Sequence, residues 1–339
     1  MLRQSISSDF TNVFRPNAVN QWPNMGDTAP QLNYRYDGAA RLISAGGKES
    51  GGGSRLHEQL GYGYDAAGNL FQRTNNALVQ TFNVNTIDEL NTATRAGTYT
   101  AAGAASPPGT SVTVNGSAAA LYADKTFAKD SLSLTDGWNT FTAMVQDGTG
   151  RAASNTVSAN LPATVTFTYD GNGNLTGDGN RILDYDDDDQ LIRVTVSGSY
   201  KTEFVYDGLR RLRLRTEYNW TYSGWASLGT TYYVYDGKRV IQERDASSNA
   251  LLVNYVRGLD LSGTFEGAGG IGGLLMRSDF GGSNNNSYYQ TDGHGNVALH
   301  FTTGAYAVGI AAKYWYDPYG NGRLEIWCRR SKQLLLRGM

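Results

Sequence analysis

One cysteine and three histidines in 339 residues allow no internal disulfide and no thiolate zinc site, and they argue against a histidine-based metal centre. Cys328 reads as an inert thiol, and its lack of a partner does not fix the compartment, because exported proteins also dispense with disulfides. No apolar run is long enough to cross a bilayer; the longest, Ile271 to Met276, falls far short. Met1 to Pro30 alternates polar and apolar residues, so no signal peptide or membrane anchor is expected there. The chain is then expected either to stay in the cytoplasm or to lack the beginning of a longer exported polypeptide. Only 18% of residues are charged and the net charge is -2, so there is no basic field to hold nucleic acid or an anionic membrane by counterion release.

What is present in excess is glycine and tyrosine: 42 Gly, 22 Tyr and 6 Trp, a balance of turn formers and large flat side chains that suits sheets. This excludes a helical bundle and collagen, and 12% aromatic residues exclude global disorder, since such a chain can bury enough apolar surface to offset its ordering entropy. The length exceeds what one hydrophobic core organises and implies two or three modules.

A repeat is visible by eye. Tyr-Asp occurs at Tyr36-Asp37, Tyr64-Asp65, Tyr169-Asp170, Tyr185-Asp186, Tyr206-Asp207, Tyr235-Asp236 and Tyr316-Asp317. Each copy reads as a strand that ends at Tyr and a turn that opens at Asp. Asp65-Ala66-Ala67-Gly68, Asp170-Gly171-Asn172-Gly173 and Asp317-Pro318-Tyr319-Gly320 place Asp first and Gly fourth, as a type I turn with a left-handed exit requires. Asp207-Gly208 and Asp236-Gly237 suggest a tighter two-residue loop. A strand restarts after each turn on an apolar residue, as in Asn69-Leu70-Phe71 and Gln190-Leu191-Ile192. Leu212-Arg213-Leu214-Arg215 alternates with period two, which places leucines on one face and arginines on the other, facing water. Hairpins this small are not stable alone and must stack edge to edge into a long curled sheet.

The rhythm breaks between Asp65 and Tyr169, and Ser106-Pro107-Pro108-Gly109 marks the entry of an insertion. From Ser111 to Pro162, turns at Asn115-Gly116, Asp136-Gly137 and Asp147-Gly148-Thr149-Gly150 punctuate short strands in the manner of a small sandwich. Val112-Thr113-Val114-Asn115-Gly116 and Trp138-Asn139-Thr140-Phe141-Thr142-Ala143 resemble the compact immunoglobulin-like modules of bacterial surface proteins.

The Tyr-Asp units followed by Gly-Asn-Leu resemble the YD repeats of the rearrangement-hotspot (RHS) and teneurin class, most strongly over Phe167 to Asp245. Tyr288-Tyr289-Gln290-Thr291-Asp292-Gly293-His294-Gly295-Asn296-Val297 and Ala312-Lys313-Tyr314-Trp315-Tyr316-Asp317-Pro318-Tyr319-Gly320 are similar to the RHS repeat-associated core domain. The resemblance implies a β-shell that spirals around an interior and encloses a polypeptide, commonly a toxin, in export or competition systems. In many members the core continues to a peptidase motif that releases the toxin; here Asn321 to Met339 carries no such motif, and its basic end, with Arg329, Arg330, Lys332 and Arg337, reads as a prematurely ended terminus.

The segments expected are a YD-repeat region at 1–105, an immunoglobulin-like β-sandwich insertion at 106–162, YD repeats at 163–265, a truncated RHS core-like region at 266–323 and an atypical tail at 324–339. The fold class is all-β.

Several residue groups tempt a site assignment. Asp170 to Asn174 has the alternating oxygens of a calcium loop, but Leu175 stands where Gly is needed and Arg181 where a bidentate Glu is needed, so the hairpin turn is preferred. Asp184 and Asp186 to Asp189 form an acidic cluster whose alternation sends neighbouring carboxylates to opposite faces, which favours a solvated turn over a cation site. His294 has no Ser or Cys in an elbow context to activate. Gly267 to Gly273 resembles a phosphate cradle without the Lys-Ser or Lys-Thr or the βαβ setting, and fits close strand packing better. Trp220, Tyr222 and Trp225 are able to stack on sugars or simply to cover a hairpin.

No catalytic, cofactor or metal residue is assigned. The reading is a non-catalytic structural and interaction protein, a fragment of an RHS-type shell in a secreted or cell-surface system, with a polypeptide cargo or a further RHS chain as partner. The alternative is a carbohydrate-binding or adhesive surface module with glycan partners. Limited proteolysis is expected to cut first near Pro107-Pro108 and after Gly320; early cleavage within Phe167 to Asp245 would contradict a continuous wall.

Overall fold

The computed structural model describes residues 31–105, 109–280, 285–303, 308–316, 322–326 and 335–336. Among them there is no helix, and hence none long and apolar enough to cross a membrane. The protein is all-β, and its strands form open antiparallel sheets. The chain divides into two compact units, residues 1–165 with 312–339, and residues 166–311.

The first unit opens with six consecutive strands, β1 (Gln31–Tyr36), β2 (Leu42–Lys48), β3 (Ser54–Tyr64), β4 (Leu70–Asn75), β5 (Leu78–Val84) and β6 (Leu90–Ala96). Each pairs with the next. Ala45, Leu60 and Tyr62 are buried at its centre, with Tyr34, Leu42, Tyr64 and Leu70 packed around them.

Then come β7 (Tyr99–Ala104), β8 (Gly109–Val114), β9 (Ser117–Ala118), β10 (Ala120–Leu121), β11 (Thr126–Leu132), β12 (Trp138–Asp147) and β13 (Ala152–Asn160). They form two sheets, one in which β11 pairs with β10 and β7, the other ordered β13-β12-β8-β9. Between them lies the main core, in which Tyr99, Val112, Val114, Phe127, Phe141 and Ala143 are buried. This is a β-sandwich insertion, as alternating inward residues such as Asn139, Phe141 and Ala143 on β12 require. Its core takes in β7 and Ala105, so the sandwich starts a strand earlier than Pro107-Pro108 suggests.

The next strand, β14 (Thr164–Thr166), pairs with β6, so the whole sandwich departs and returns between two neighbouring strands. Arg95 of β6 seals this junction: its backbone N–H donates to the Ala163 carbonyl at 2.9 Å and its Nε to the Leu161 carbonyl at 3.1 Å. Arg55 of β3 is almost wholly buried and ties the sheet to the sandwich. It reaches Asp124 at 2.9 Å and Thr126 at 2.7 Å, pairs with Glu49, and lies over the Tyr122 ring at 4.6 Å.

The second unit is a meander of twelve consecutive strands. These are β15 (Thr168–Tyr169), β16 (Leu175–Gly177), β17 (Ile182–Tyr185), β18 (Leu191–Val196), β19 (Tyr200–Tyr206), β20 (Leu212–Trp220), β21 (Trp225–Asp236), β22 (Arg239–Asp245), β23 (Leu251–Arg257), β24 (Leu274–Asp279), β25 (Asn285–Thr291) and β26 (Val297–Thr303). From β16 on, each pairs antiparallel with its predecessor. Beyond it, β27 (Val308–Tyr316) pairs with β28 (Gly322–Ile326), and β29 (Leu335–Leu336) adds to β7. The segments Met1–Pro30, Asp317–Gly320 and the one holding Cys328 lie outside the described residues.

Phe127, wholly buried between the sandwich sheets, is its largest anchor. Phe127→Ala is expected to lower the sandwich's unfolding free energy by about 3–5 kcal/mol, read as a shifted urea midpoint in Trp138 fluorescence. A loss below about 1 kcal/mol would mean that the two sheets do not share this core.

Candidate interaction surface and its corner rim

The Tyr-Asp turns are one device repeated. In Asp37, Asp65, Asn85, Asp147, Asp170, Asp186, Asp207 and Asp292 the backbone N–H bonds the carbonyl four residues on, and its carbonyl accepts from the N–H three residues on. This is a type I turn whose fourth residue takes a positive φ. Glycine holds that place at Gly68, Gly150, Gly173 and Gly295, with φ between 82° and 98°. Ala40, Asp88, Asp189 and Arg210 hold it elsewhere at 59° to 62°, a conformation costing a side-chain-bearing residue about 1 kcal/mol. What offsets that cost is the side chain that opens the turn. Asp207 Oδ1 accepts from Leu209 N at 2.9 Å and Arg211 N at 3.0 Å, and its Oδ2 accepts from Arg211 Nε at 2.9 Å. Asp37 with Arg41, Asp170 with Asn174, Asp186 with Gln190 and Asp292 with Asn296 repeat the same pattern of three bonds.

Two expectations change here. Asp207-Gly208 is not a two-residue loop, because the carboxylate's bonds to residues 209 and 211 impose the longer turn and pair Tyr206 with Leu212. Asp236-Gly237 is one: Asp236 pairs with Arg239, and Gly237 has φ 60°. The rhythm also does not lapse after Asp65, since Asn85 opens a full corner with Val84 in the tyrosine place.

Each of these corners carries a one-residue slip in register except Asp147, across which β12 and β13 pair without a shift. Tyr64 pairs with Leu70 while Gly63 pairs with Gln72; Tyr185 pairs with Leu191 while Asp184 pairs with Arg193; Tyr206 pairs with Leu212 while Val205 pairs with Leu214. Such bulges bend a strand and raise its twist, and within each unit they stand on one rim because the intervening turns lie on the opposite rim. The slip breaks the expected leucine and arginine alternation: Arg213 is the extra residue, and its guanidinium lies 4.3 Å over the Tyr232 ring, on the side of Leu214, which pairs with Tyr232.

The corners are also bound to one another. The Tyr64 hydroxyl donates to the Leu42 carbonyl at 2.9 Å, Tyr206 to Leu191 at 2.8 Å and Tyr235 to Leu212 at 2.8 Å, each reaching the residue that follows the preceding corner. Arg41 lies 4.9 Å over Tyr64, and Arg211 lies 4.9 Å over Tyr235 and donates to the Gly237 carbonyl at 2.7 Å. Asn172 and Asn174 both donate to Asp189 Oδ1, at 3.0 and 2.7 Å, so part of the acidic cluster serves as an acceptor for the preceding corner. Asp184 pairs with Arg193 at 2.9 Å and Asp188 with Arg210 at 3.5 Å.

The glycine-rich stretch has an anion of its own. Asp260, buried beneath it, accepts from Ala268 N at 2.7 Å, Gly270 N at 3.1 Å and Ser262 Oγ at 2.5 Å. The stretch also approaches the corner at 292–296 closely: a Cβ on Gly295 would stand 2.9 Å from the Gly272 nitrogen. Glu266, in the same loop, accepts from Lys238 N at 2.8 Å and Arg239 Nε at 3.2 Å. His294 is an exposed turn residue whose N–H donates to Asp292 at 2.8 Å. Trp220 and Trp225 meet edge to face at 5.1 Å across their hairpin, with Tyr222 exposed at the tip and Lys201 5.9 Å over Trp225.

The sheet of the second unit is one layer thick. Among its described residues only Tyr233 and Val253 are buried apolar side chains. Register places Val205, Leu214 and Tyr232 on one face, and Val256, Met276, Tyr288 and Phe301 in another row of that face. Here Val205 is 52% exposed, and Val256 and Tyr288 are exposed as well, with no second sheet within this unit among the described residues. The opposite face carries Tyr233, Val253 and a polar row in which Tyr255 donates to Glu243 at 2.5 Å and Arg277 pairs with Asp279 at 2.7 Å. Exposed apolar side chains along one sheet face make it the candidate interaction surface of this unit.

These features define an all-β protein of antiparallel hairpins locked at one rim by Tyr-Asp corners, with a β-sandwich inserted. No protein-family model matches the chain, and no curated protein sequence matches it. Among solved structures it is similar to a Photorhabdus luminescens Tc holotoxin pore with a mutated TccC3, at 16% identity over 89% of this chain and 15% of that one, TM-score 0.35. It is similar to TcdB2-TccC3 at 15% identity over 89% of this chain and 16% of that one, TM-score 0.36. A porin-like protein from Bacteroides uniformis aligns at 14% identity over 86% of each chain, TM-score 0.19. The chain thus spans about one sixth of the length of the Tc toxin chains it aligns with.

Asp37, Asp170 and Asp207 are held below the ordinary aspartate value of 3.8, Asp37 chiefly by the Arg41 N–H, Asp170 by the Asn174 amide and Asp207 by the Arg211 guanidinium. The Ser262 hydroxyl leads in bringing Asp260 to about 2, and the Ser247 hydroxyl in bringing Asp245 to about 2. A carboxylate more acidic when folded stabilises the fold above its unfolded value and ceases to do so as pH falls through its folded value. Stability is therefore expected to hold above about pH 4 and to fall steeply from there to about pH 2, seen as a declining urea midpoint in far-UV circular dichroism. Asp260→Asn should flatten part of that fall; a midpoint unchanged down to about pH 2 would contradict the corner assignment.

Proposed function

We propose that this chain is a non-catalytic structural and interaction protein, part of an RHS-type β-shell that encloses or presents a polypeptide. The observation that carries this reading is the one-layer sheet of the second unit, whose exposed Val205, Val256 and Tyr288 face has no second layer among the described residues. Such a sheet is the wall of something, and an extended or unfolded polypeptide supplies the apolar side chains that would cover it. The YD repeats and the core-like motif at Tyr288 to Val297 support placing the chain in a toxin-delivery or contact-dependent system, secreted or at the cell surface, where a further RHS chain would complete the enclosure. The inserted sandwich is read as an immunoglobulin-like module, on the strength of its two packed sheets and its Trp138 to Ala143 strand. The absence of catalysis is supported by the corner carboxylates, whose oxygens are engaged with turn N–H groups.

Titrating the protein with a reduced, carboxymethylated polypeptide is expected to give saturable binding in fluorescence anisotropy. Val205→Lys combined with Val256→Lys should weaken it at least about tenfold with the far-UV spectrum unchanged, since charge on this face opposes burial. No binding by the unsubstituted protein, or binding indifferent to both lysines, would overturn the reading. Saturable glycan binding lost in Trp220→Ala would assign the surface to sugars instead.

A further inference from the structure

The hairpin of β20 and β21 reaches past its neighbour β22. The β21–β22 ladder begins at Thr231, opposite Asp245, and the last bond on that side runs from Ala246 N to the Thr230 carbonyl at 2.9 Å. Among the described strands, Trp225 to Gly229 therefore have a partner on one side alone. Thr221 and Gly224 exchange backbone bonds at 2.9 and 3.3 Å, which leaves Tyr222 and Ser223 as a two-residue turn at the end. Such turns favour asparagine or glycine at their left-handed positions. Here Tyr222 takes φ 28° with its side chain fully exposed. A bulky residue is strained in that conformation, and a ring standing clear in solvent has no packing to offset the strain.

The tip is aromatic and uncharged. From Tyr218 to Thr230 no residue carries a charge, and the turns on either side, Ser197 to Ser199 and Ala246 to Asn249, carry none either. Trp220 is exposed, and so is Leu228, the extra residue of a bulge between the Glu217 and Tyr218 pairs. Lys201 stands opposite Tyr218, about 13 Å short of Tyr222 at roughly 3.3 Å per residue, and Glu203 holds it at 2.7 Å. The charge-free length thus exceeds the roughly 5–10 Å to which an interfacial segment enters the boundary between headgroups and acyl chains. Tryptophan and tyrosine favour that boundary, because their rings are apolar while the indole N–H and phenol O–H stay hydrated. With no cation at the tip and a net charge of -2, the surface that fits is zwitterionic and not anionic. A sugar would ask for flat ring faces side by side, whereas Trp220 and Trp225 meet edge to face at 69°.

We propose that the tip of the β20–β21 hairpin is an interfacial anchor that docks this chain on a zwitterionic lipid surface. Tyr222 enters first, Trp220 and Leu228 follow, and Lys201 stays at the level of the headgroups. Anchoring by so few side chains is weak and reversible, and no strand crosses the bilayer. The inference stands apart from the polypeptide reading, which uses the sheet face at Val205 and Val256.

The test is flotation of the whole chain with phosphatidylcholine vesicles. The protein is expected to float with them as well in ~0.5 M salt as in ~0.1 M, since screening weakens only charge interactions. Tyr222→Ala should lower the partition coefficient about tenfold, and Tyr222→Trp should retain it. Tyr222 is fully exposed, so neither change disturbs the fold. Leu209→Ala, at an exposed apolar residue of a corner, and Val205→Lys with Val256→Lys should both float as the unsubstituted protein does. In a Cys328→Ser background, a polarity-sensitive dye on Ser223→Cys should shift to the blue on vesicles, and lipids carrying a quencher near the headgroup should quench it more than lipids carrying one at the chain end. The proposal is overturned if the protein does not float, if binding needs anionic lipid and disappears in salt, if Tyr222→Ala floats as well as the unsubstituted protein, or if the loss falls instead on Val205→Lys with Val256→Lys. Saturable glycan binding without flotation would also overturn it, and would assign the tip to sugars.

Discussion

The bond from a corner carboxylate to the backbone N–H two and four residues ahead is the constraint on which the rest of this structure depends. It fixes the loop at one length, which at Asp207 sets Tyr206 opposite Leu212, six residues on, with one residue out of register. Because side chains alternate along a strand, a slip of one would send every later residue to the wrong face. The corner thus decides which residues share a face, with the hydrophobic pattern following it. The left-handed residue that closes the turn is tolerated as Ala40 or Arg210 for the same reason: three side-chain bonds over-determine a conformation that a free chain would avoid.

Stability is distributed differently in the two units. In the first, Phe127, Phe141 and Val114 are sealed between sheets, and Ala45, Leu60 and Tyr62 form a smaller core, so burial dominates. In the second there is almost no sealed apolar volume, and cohesion comes from neighbour to neighbour: tyrosine hydroxyls on preceding carbonyls, arginines over rings, and asparagines on the next corner's aspartate. Each such contact contributes on the order of 1 kcal/mol. A wall built this way has the near-additive energetics of repeat proteins, in which each hairpin depends on those beside it. It also leaves the sheet faces available, which a conventional core would consume.

The sequence carried the sheet and most corners in plain view, because a strand ending in Tyr-Asp and resuming at Leu needs only local chemistry. It hid what depends on the side chain four residues after the aspartate. Arg41, Asn69, Gln190 and Arg211 all close the carboxylate, and reading that place would have shown that Asp207 opens the long turn and that Asn85 opens a corner without tyrosine. The phosphate-like look of Gly267 to Gly273 was a true sign of converging N–H groups, yet the anion they meet is Asp260, several residues upstream and unremarkable by spacing alone. Likewise the period-two pattern at Leu212 to Arg215 fails because a bulge, invisible to alternation, inserts Arg213. Local turn chemistry was legible; contacts between turns were not.

The position of the sandwich follows from the same division of labour between the two rims. In each unit the corners occupy one rim, where loop length is constant, while turns on the other rim vary in length, from the pair at Asn76-Ala77 to the longer loop at 245–250, even where a carboxylate such as Asp178 or Asp245 caps them. The insertion leaves after β6 and returns at β14, which pairs with β6, so it stands in place of an opposite-rim turn. A loop there is only required to bring its ends together, and the entropy of closing it grows slowly with length. A whole sandwich is therefore admitted at that point at little cost in register, whereas the same insertion within a corner would unseat the tyrosine and leucine pair and reverse the faces of every strand beyond it.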